Sequence, residues 1–260
     1  MDPNRSFSEM PLPLFLPDSD DVGPAVPATA AGRDKSSPSY LADHRARLRE
    51  RFLGGGAAAM PDYELLELIL FRAVPRQDMK PLARRLLDQF GDFNRVISAT
   101  PQRLQAVSGV GQAVIAELKI VEAAAQRLAR ARVMNRPVLS SWQALLDYCQ
   151  TAMAHAETEQ FRVFYLDRKN TLIADEEQAR GTVDHVPVYP REILRRALEL
   201  NASALILVHN HPSGDPTPSE ADISMTARIC RAAENLSITL HDHLVIGKSR
   251  EISFRAEGLI

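Results

Sequence analysis

Cysteine is nearly absent from this 260-residue sequence: Cys149 and Cys230 stand singly in helix-like segments, with no Cys-x-x-Cys partner. That argues against a disulfide framework and against a thiolate-ligated metal, and fits two reduced, buried thiols. Long apolar runs are also missing. The longest, Ala202 to Val208, is strand-sized, well short of the roughly 20 residues a membrane-spanning helix needs, which excludes an integral helical membrane protein. The opening residues have no basic stretch, and prolines at 11, 13 and 17 interrupt their apolar patch, so no secretory leader is read there and the expected location is the cytoplasm. Internal repeats and low-complexity blocks are absent too. Net charge is small, at −2, but unevenly spread: from Arg45 to Arg136 there are 16 Lys/Arg against 9 Asp/Glu, leaving the rest of the chain acidic. Such a basic half suits either a solvated helical surface or a polyanion partner.

What is present divides the chain in three. Residues 1–38 are rich in Pro, Ser, Asp and Ala without a hydrophobic period and are expected to be a disordered tail. Residues 39–135 read as an all-α unit. A helix from His44 to Leu53 stops at Gly54-Gly55-Gly56, Asp62 is placed as the cap of a second from Tyr63 to about Phe71, and others cover Met79 to Phe90 and Phe93 to Ser98. Thr100-Pro101 opens a short helix to Val107, and Gly109-Val110-Gly111 leads into the helix Gln112 to Ala131. This pair is helix-hairpin-helix-like. Its turn can offer backbone N–H groups to a DNA phosphate, with Arg103 and Lys119 the nearest cations, or can simply let two helices pack closely. Arg136-Pro137 marks the boundary to residues 138–260, where Ser140 or Ser141 caps a helix to Met153. Strands follow at Phe161 to Asp167 and Thr171 to Glu176 around an Arg168-Lys169-Asn170 turn, with a further strand at Gln178 to Val183. Then come the helix Arg191 to Leu200, the strand Ala204 to Val208, the helix Glu220 to Glu234, and strands at Ile238 to Ile246 and Glu251 to Phe254. The chain as a whole is therefore α+β.

The chemistry concentrates from residue 209, where the chain reads His-Asn-His-Pro-Ser-Gly-Asp-Pro-Thr-Pro-Ser-Glu-Ala-Asp. His209 and His211, two apart on a strand end, point to the same side. Asp222 falls in the first turn of a helix capped by Ser219, which can return its carboxylate to the same point. Three N/O ligands without sulfur suit one catalytic-type zinc per chain, a centre that activates water and polarises a carbonyl.

His-x-His, seven residues, Ser, two residues, Asp resembles in full the JAMM signature of the JAB/MPN metalloproteases. The resemblance extends to Leu166 through Asn170, Arg180-Gly181-Thr182, Val188 through Ile193, Asn201 through Leu207, Asp242 through Gly247, and the upstream Tyr63 through Glu67 and Gly109 through Gly111. Over roughly residues 40 to 260 the sequence is similar to the bacterial RadC family. The resemblance implies an MPN-type α/β fold for the C-terminal part, zinc on His209, His211 and Asp222, and protease- or isopeptidase-like cleavage of a peptide or protein substrate. It also implies that Ser219 donates to the oxyanion. His241 stands where an apolar residue is expected before Asp242, so its side chain is expected exposed or locally rearranged. His243 either orients the site from behind or is a buried structural histidine.

The contiguous motif lacks a general base. Glu157, Glu159, Glu176, Glu177, Glu192 and Glu199 lie upstream. Glu192 and Glu199 are explained by the ends of their helix. Glu159 opens a strand with the parity of Phe161, Val163 and Tyr165, and in JAMM proteins the base stands in a similar place, so Glu159 is the expected base. Three readings stand at this point: a zinc-dependent hydrolase, a DNA-associated module whose metal half is structural, and a metal-dependent nuclease. Two His and one Asp lack the carboxylate-rich pair usual for the last.

Overall fold

The computed structural model describes residues 39–180 and 188–260. The tail expected over residues 1–38, and the 181–183 part of the strand expected from Gln178, lie outside the described residues.

The helical region runs α1 (Ser39–Gly55), α2 (Asp62–Ala73), α3 (Lys80–Phe90), α4 (Phe93–Ser98), α5 (Pro101–Gln105) and α6 (Gln112–Val133). Its core gathers Leu66 and Leu70 of α2, Leu82 and Leu86 of α3, Val96 of α4, Leu104 of α5, and Val114 and Leu118 of α6. Helix α2 is buried deeply enough to carry a polar side chain inside: Glu67 is fully buried, and His44 Nε2 meets its Oε1 at 2.8 Å. Asp62 is not the cap of α2. Pro61 holds that position, and Asp62 sits in the first turn, where a carboxylate favours the helix dipole and its Oδ2 accepts the Phe93 N–H at 3.4 Å.

Helix α6 is 22 residues long. Its first turns belong to the helical core, whereas Val133 at its end belongs to a second cluster under the sheet. Helix α7 (Trp142–Met153) packs beside it. Ser141 takes the N-cap position of α7, yet its hydroxyl donates to the Pro137 carbonyl at 2.8 Å instead of capping the helix.

The remainder is a five-stranded sheet in the order β2-β1-β3-β4-β5, from β1 (Gln160–Leu166), β2 (Leu172–Arg180), β3 (Ala204–Asn210), β4 (Thr239–Ile246) and β5 (Glu251–Ser253). Helices α8 (Pro190–Glu199) and α9 (Glu220–Glu234) complete the α-helices of the described residues. The return strand β2 is continuous to Arg180, so the two strands read from 171 to 176 and from 178 onward are one, carried through by pairing with β1. All pairs are antiparallel except β3–β4, which α9 connects as a β-α-β crossover. Central β3 is buried along its whole length. Its even residues Ala204, Ile206 and Val208 face α7, while Leu205 and Leu207 face the α8/α9 side with Phe161, Val163 and Tyr165.

Two irregularities bear on function. In β4, Leu205 pairs with Leu240 but Ile206 pairs with Asp242, so His241 is an extra residue in a bulge. Leu240 faces α8/α9, and beyond the bulge Leu244 and Ile246 face α7. The bulge therefore brings His243, paired with Leu207, to the α8/α9 side. His241 itself bonds Asn170 Oδ1 at 2.7 Å, which accounts for a polar residue there. The second is ionic. Asp175 of β2 receives Arg162 of β1 through Nε and Nη2 at 2.9 and 2.7 Å, the Tyr148 hydroxyl of α7, and Arg130 of α6 at 3.5 Å. This buried carboxylate ties both helices to the sheet.

No helix among the described residues is long and apolar enough to cross a membrane.

Candidate metal centre

Strand β3 ends in the site. His209, the last residue but one of β3, is fully buried, and the His211 N–H bonds the Ile246 carbonyl at 3.0 Å, so His211 extends the strand path by one residue and shares the side of His209. Their Nε2 atoms stand 3.0 Å apart. The chain then leaves β3, crosses above the β4–β5 turn and enters α9. Gly247 permits that crossing: a Cβ there would lie 2.5 Å from the Gly214 carbonyl oxygen, which no side chain tolerates.

Helix α9 starts with a capping box. Ser219 Oγ accepts the Asp222 N–H at 3.2 Å, while Asp222 Oδ2 accepts from the Ser219 N–H at 2.8 Å and from its hydroxyl at 2.6 Å. The cap thus steers a carboxylate as well as starting a helix. Asp222 Oδ1 comes to 3.4 Å from His209 Nε2, and Oδ2 to 3.6 Å from His211 Nε2.

This donor set fits a small divalent cation. Zinc bonds nitrogen and oxygen at about 2.0–2.2 Å, and a tetrahedron of that size sets neighbouring ligand atoms roughly 3.3 Å apart. The three separations given above straddle that value. His211 Nδ1 lies 2.8 Å from the Asp215 carbonyl, which can only accept, so the ring presents Nε2 to the site. The charges agree with this arrangement. Burial works to raise the Asp222 carboxyl, but the close approach of the His209 and His211 rings overrides it and holds the group far below the usual carboxylate range. The Asp222 hydrogen bond lifts His211 above the ordinary histidine value against the effect of burial, helped by the Asp215 carbonyl and the charge of Glu159.

Behind His209 the site is buried and aromatic. Phe161 lies along the His209 ring at 6.2 Å between centroids, and His243, fully buried, is 4.5 Å from the Phe254 ring. Burial drives His243 well below the ordinary histidine value. Its Nε2 meets His209 Nδ1 at 2.8 Å, so His243 stands directly behind a candidate ligand.

Glu159 immediately precedes β1. Phe161 pairs with His209, so one step outward Gln160 lies beside Asn210 and Glu159 beside His211. Asn210 fixes that step: its Oδ1 accepts the Gln160 N–H at 2.9 Å and its Nδ2 donates to the Thr158 carbonyl at 3.2 Å. Other glutamates are committed to arginines: Glu157 to Arg103, Glu176 to Arg196, and Glu192 and Glu199 to Arg195. Glu177 is exposed near Arg162, at 3.8 Å. At the Gly109–Gly111 turn, Arg103 is occupied by Glu157, Lys119 by Glu122 and the Ile97 carbonyl, and Val110 is buried in the helical core.

Sequence reasoning did not single out Asn210 or Thr226. Asn210 lies inside the His-x-His unit, but its role depends on pairing with a strand some 50 residues earlier, invisible to spacing. Thr226 is four residues after Asp222, which is a signal only once His243 is known to reach the same helix.

Comparison with known proteins agrees with the geometry. Residues 139–259 match the family model described as RadC-like JAB domain, and residues 42–116 match UPF0758 N-terminal. A UPF0758 protein of Ruegeria pomeroyi is 77% identical over 223 residues, which cover 86% of this chain and all of the relative. Another, from Rhodobacter capsulatus, is 79% identical over 213 residues, 82% of this chain and all of the relative.

Proposed function

The chain belongs to the RadC (UPF0758) family of JAB-domain proteins, and from that premise we propose that it is a JAMM-type, zinc-dependent hydrolase that cleaves an amide bond in a peptide or protein. The observation that carries this reading is the convergence of His209, His211 and Asp222, whose ligand atoms all lie within 4.8 Å of one another. One zinc per chain would be held by these residues. Bound there, the ion supplies Lewis acidity, which polarises a carbonyl and brings the pKa of water down from about 15.7 to about 7.

The rest is done by side chains. Glu159 takes a proton from the attacking water and returns it to the leaving nitrogen. Its place beside His211, held by the bonds of Asn210 to Thr158 and Gln160, supports that role. Ser219 is assigned to stabilise the oxyanion. Its hydroxyl is turned to Asp222 Oδ2, so donation to substrate requires its hydrogen to swing away about the Cβ–Oγ bond. Phe161 and Phe254 keep water from the rear of the site.

The test is zinc content of protein purified without added metal, followed by peptide and isopeptide substrates, and DNA, with and without a chelator. Glu159→Gln is expected to keep zinc and fold while losing about 10²–10⁴ in turnover. Cleavage that survives chelation, or wild-type turnover in Glu159→Gln, overturns the reading.

A further inference from the structure

A line of hydrogen bonds behind the metal centre has its direction fixed by chemistry. It ends at the main-chain carbonyl of Asp222, which can only accept, so the Thr226 hydroxyl donates to it, at 2.6 Å. Having spent its hydrogen, Thr226 Oγ1 must accept from its other neighbour, His243 Nδ1, also at 2.6 Å. His243 has no exposed surface, lies between the rings of Phe161 and Phe254, and among the described residues its ring bonds only His209 and Thr226 and no carboxylate, so it is neutral and carries one ring proton. With that proton on Nδ1, its Nε2 is a lone pair. The atom facing it, His209 Nδ1 at 2.8 Å, must therefore be the donor.

We propose that His243 and Thr226 are positioning residues that hold His209 in the Nδ1–H tautomer, leaving Nε2 bare and aimed at the point shared with His211 and Asp222. The relay begins and ends on candidate ligands. It leaves His209, passes through β4, and returns to α9 on the residue whose carboxylate is the third ligand. Backbone and side chain of Asp222 thus serve one site from two directions, and the four-residue step from Asp222 to Thr226 is one helical turn. The bulge at His241 belongs to the same device, since it turns His243 to this side of the sheet. The proposal rests on the metal-site reading and not on hydrolysis.

The experiment uses the full chain and zinc alone. Zinc affinity is measured by competition with a chromophoric chelator for wild type, Thr226→Val, Thr226→Ser and His243→Leu. Thr226→Val is nearly isosteric but leaves His243 Nδ1 without an acceptor. It and His243→Leu are expected to weaken zinc binding about 10–100-fold, the usual effect of losing a group that orients a ligand, while Thr226→Ser restores it. Should His243→Leu fail to fold, imidazole ¹⁵N–¹H NMR of the metal-free wild type reads the tautomer directly, with His209 expected as Nδ1–H. Wild-type zinc affinity in Thr226→Val, or a proton on His209 Nε2 with Nδ1 bare, overturns the relay. If the wild type binds no zinc, the metal reading falls, and the NMR result still decides the relay.

Discussion

Asn210 brackets Glu159, bonding the peptide group on each side of it. A fully buried amide whose two functions are both spent on the neighbouring loop is a device for holding that loop. Asn210→Leu is therefore expected to leave a partly buried N–H and a carbonyl without their partner and to cost about 1 kcal/mol. Urea denaturation measures the cost, and hydrogen exchange at the Gln160 amide locates it. Unchanged protection of that amide would show that the loop holds itself.

Ser219 sits between two roles that substitution can separate. Ser219→Ala removes the cap of α9 and is expected to cost about 1 kcal/mol. It also frees the Asp222 carboxylate from its 2.6 Å bond, so zinc affinity should fall along with the thermal midpoint. A loss of stability with no change in affinity would restrict Ser219 to capping.

His209→Ala, His211→Ala and Asp222→Ala are each expected to abolish stoichiometric zinc, because each leaves an incomplete set of protein ligands. Native mass spectrometry reads this directly. Full zinc retention by any one variant removes that residue from the site.

The pH response follows from His211, whose pKa is raised chiefly by its bond to Asp222. A raised histidine favours the fold while protonated. Its contribution is complete below the unfolded value of about 6.5 and disappears as pH climbs through the folded value. The same proton occupies a ligand atom, so zinc binding strengthens over that interval. Calorimetry should show a larger zinc-induced rise in Tm at pH 8 than at pH 6. An equal rise at both would mean that His211 does not bind the ion.

Asp175→Asn is expected to be severe although it lies outside the site. Its carboxylate is fully buried and compensates Arg162, which is itself largely buried. Removing one partner of such a pair costs about 3–5 kcal/mol. A denaturation midpoint within error of wild type would show that Arg162 finds another partner.

Much of this was legible because local signals and tertiary structure agree. A strand running straight into His209, a Ser-Glu-Ala-Asp helix start at Ser219 and a helical pattern before Arg136 each carry their own physics. What stayed hidden depends on partners distant in sequence. The pairing of Phe161 with His209 makes Glu159 a neighbour of His211, and only the bulge explains how Leu240 and His243 face the same way. Ser141 misled for a related reason: its hydroxyl donates to the Pro137 carbonyl and does not accept from the first-turn N–H groups of α7. The His-x-His spacing named the two candidate ligands but gave no hint that the residue between them faces the loop of a neighbouring strand.

Helix α6 has a consequence for how the molecule comes apart. At 1.5 Å per residue its 22 residues make a rod about 33 Å long, with Val114 and Leu118 in one core and Val133 in another. No slack separates the two anchorages, so α6 cannot act as a hinge unless its ladder of hydrogen bonds breaks. Fraying from either end withdraws apolar side chains from a core, and near the far end it also withdraws Arg130 from Asp175. Loss of order among the early helices is thereby transmitted to the sheet as a mechanical load, reaching the strand next to the one that Glu159 precedes.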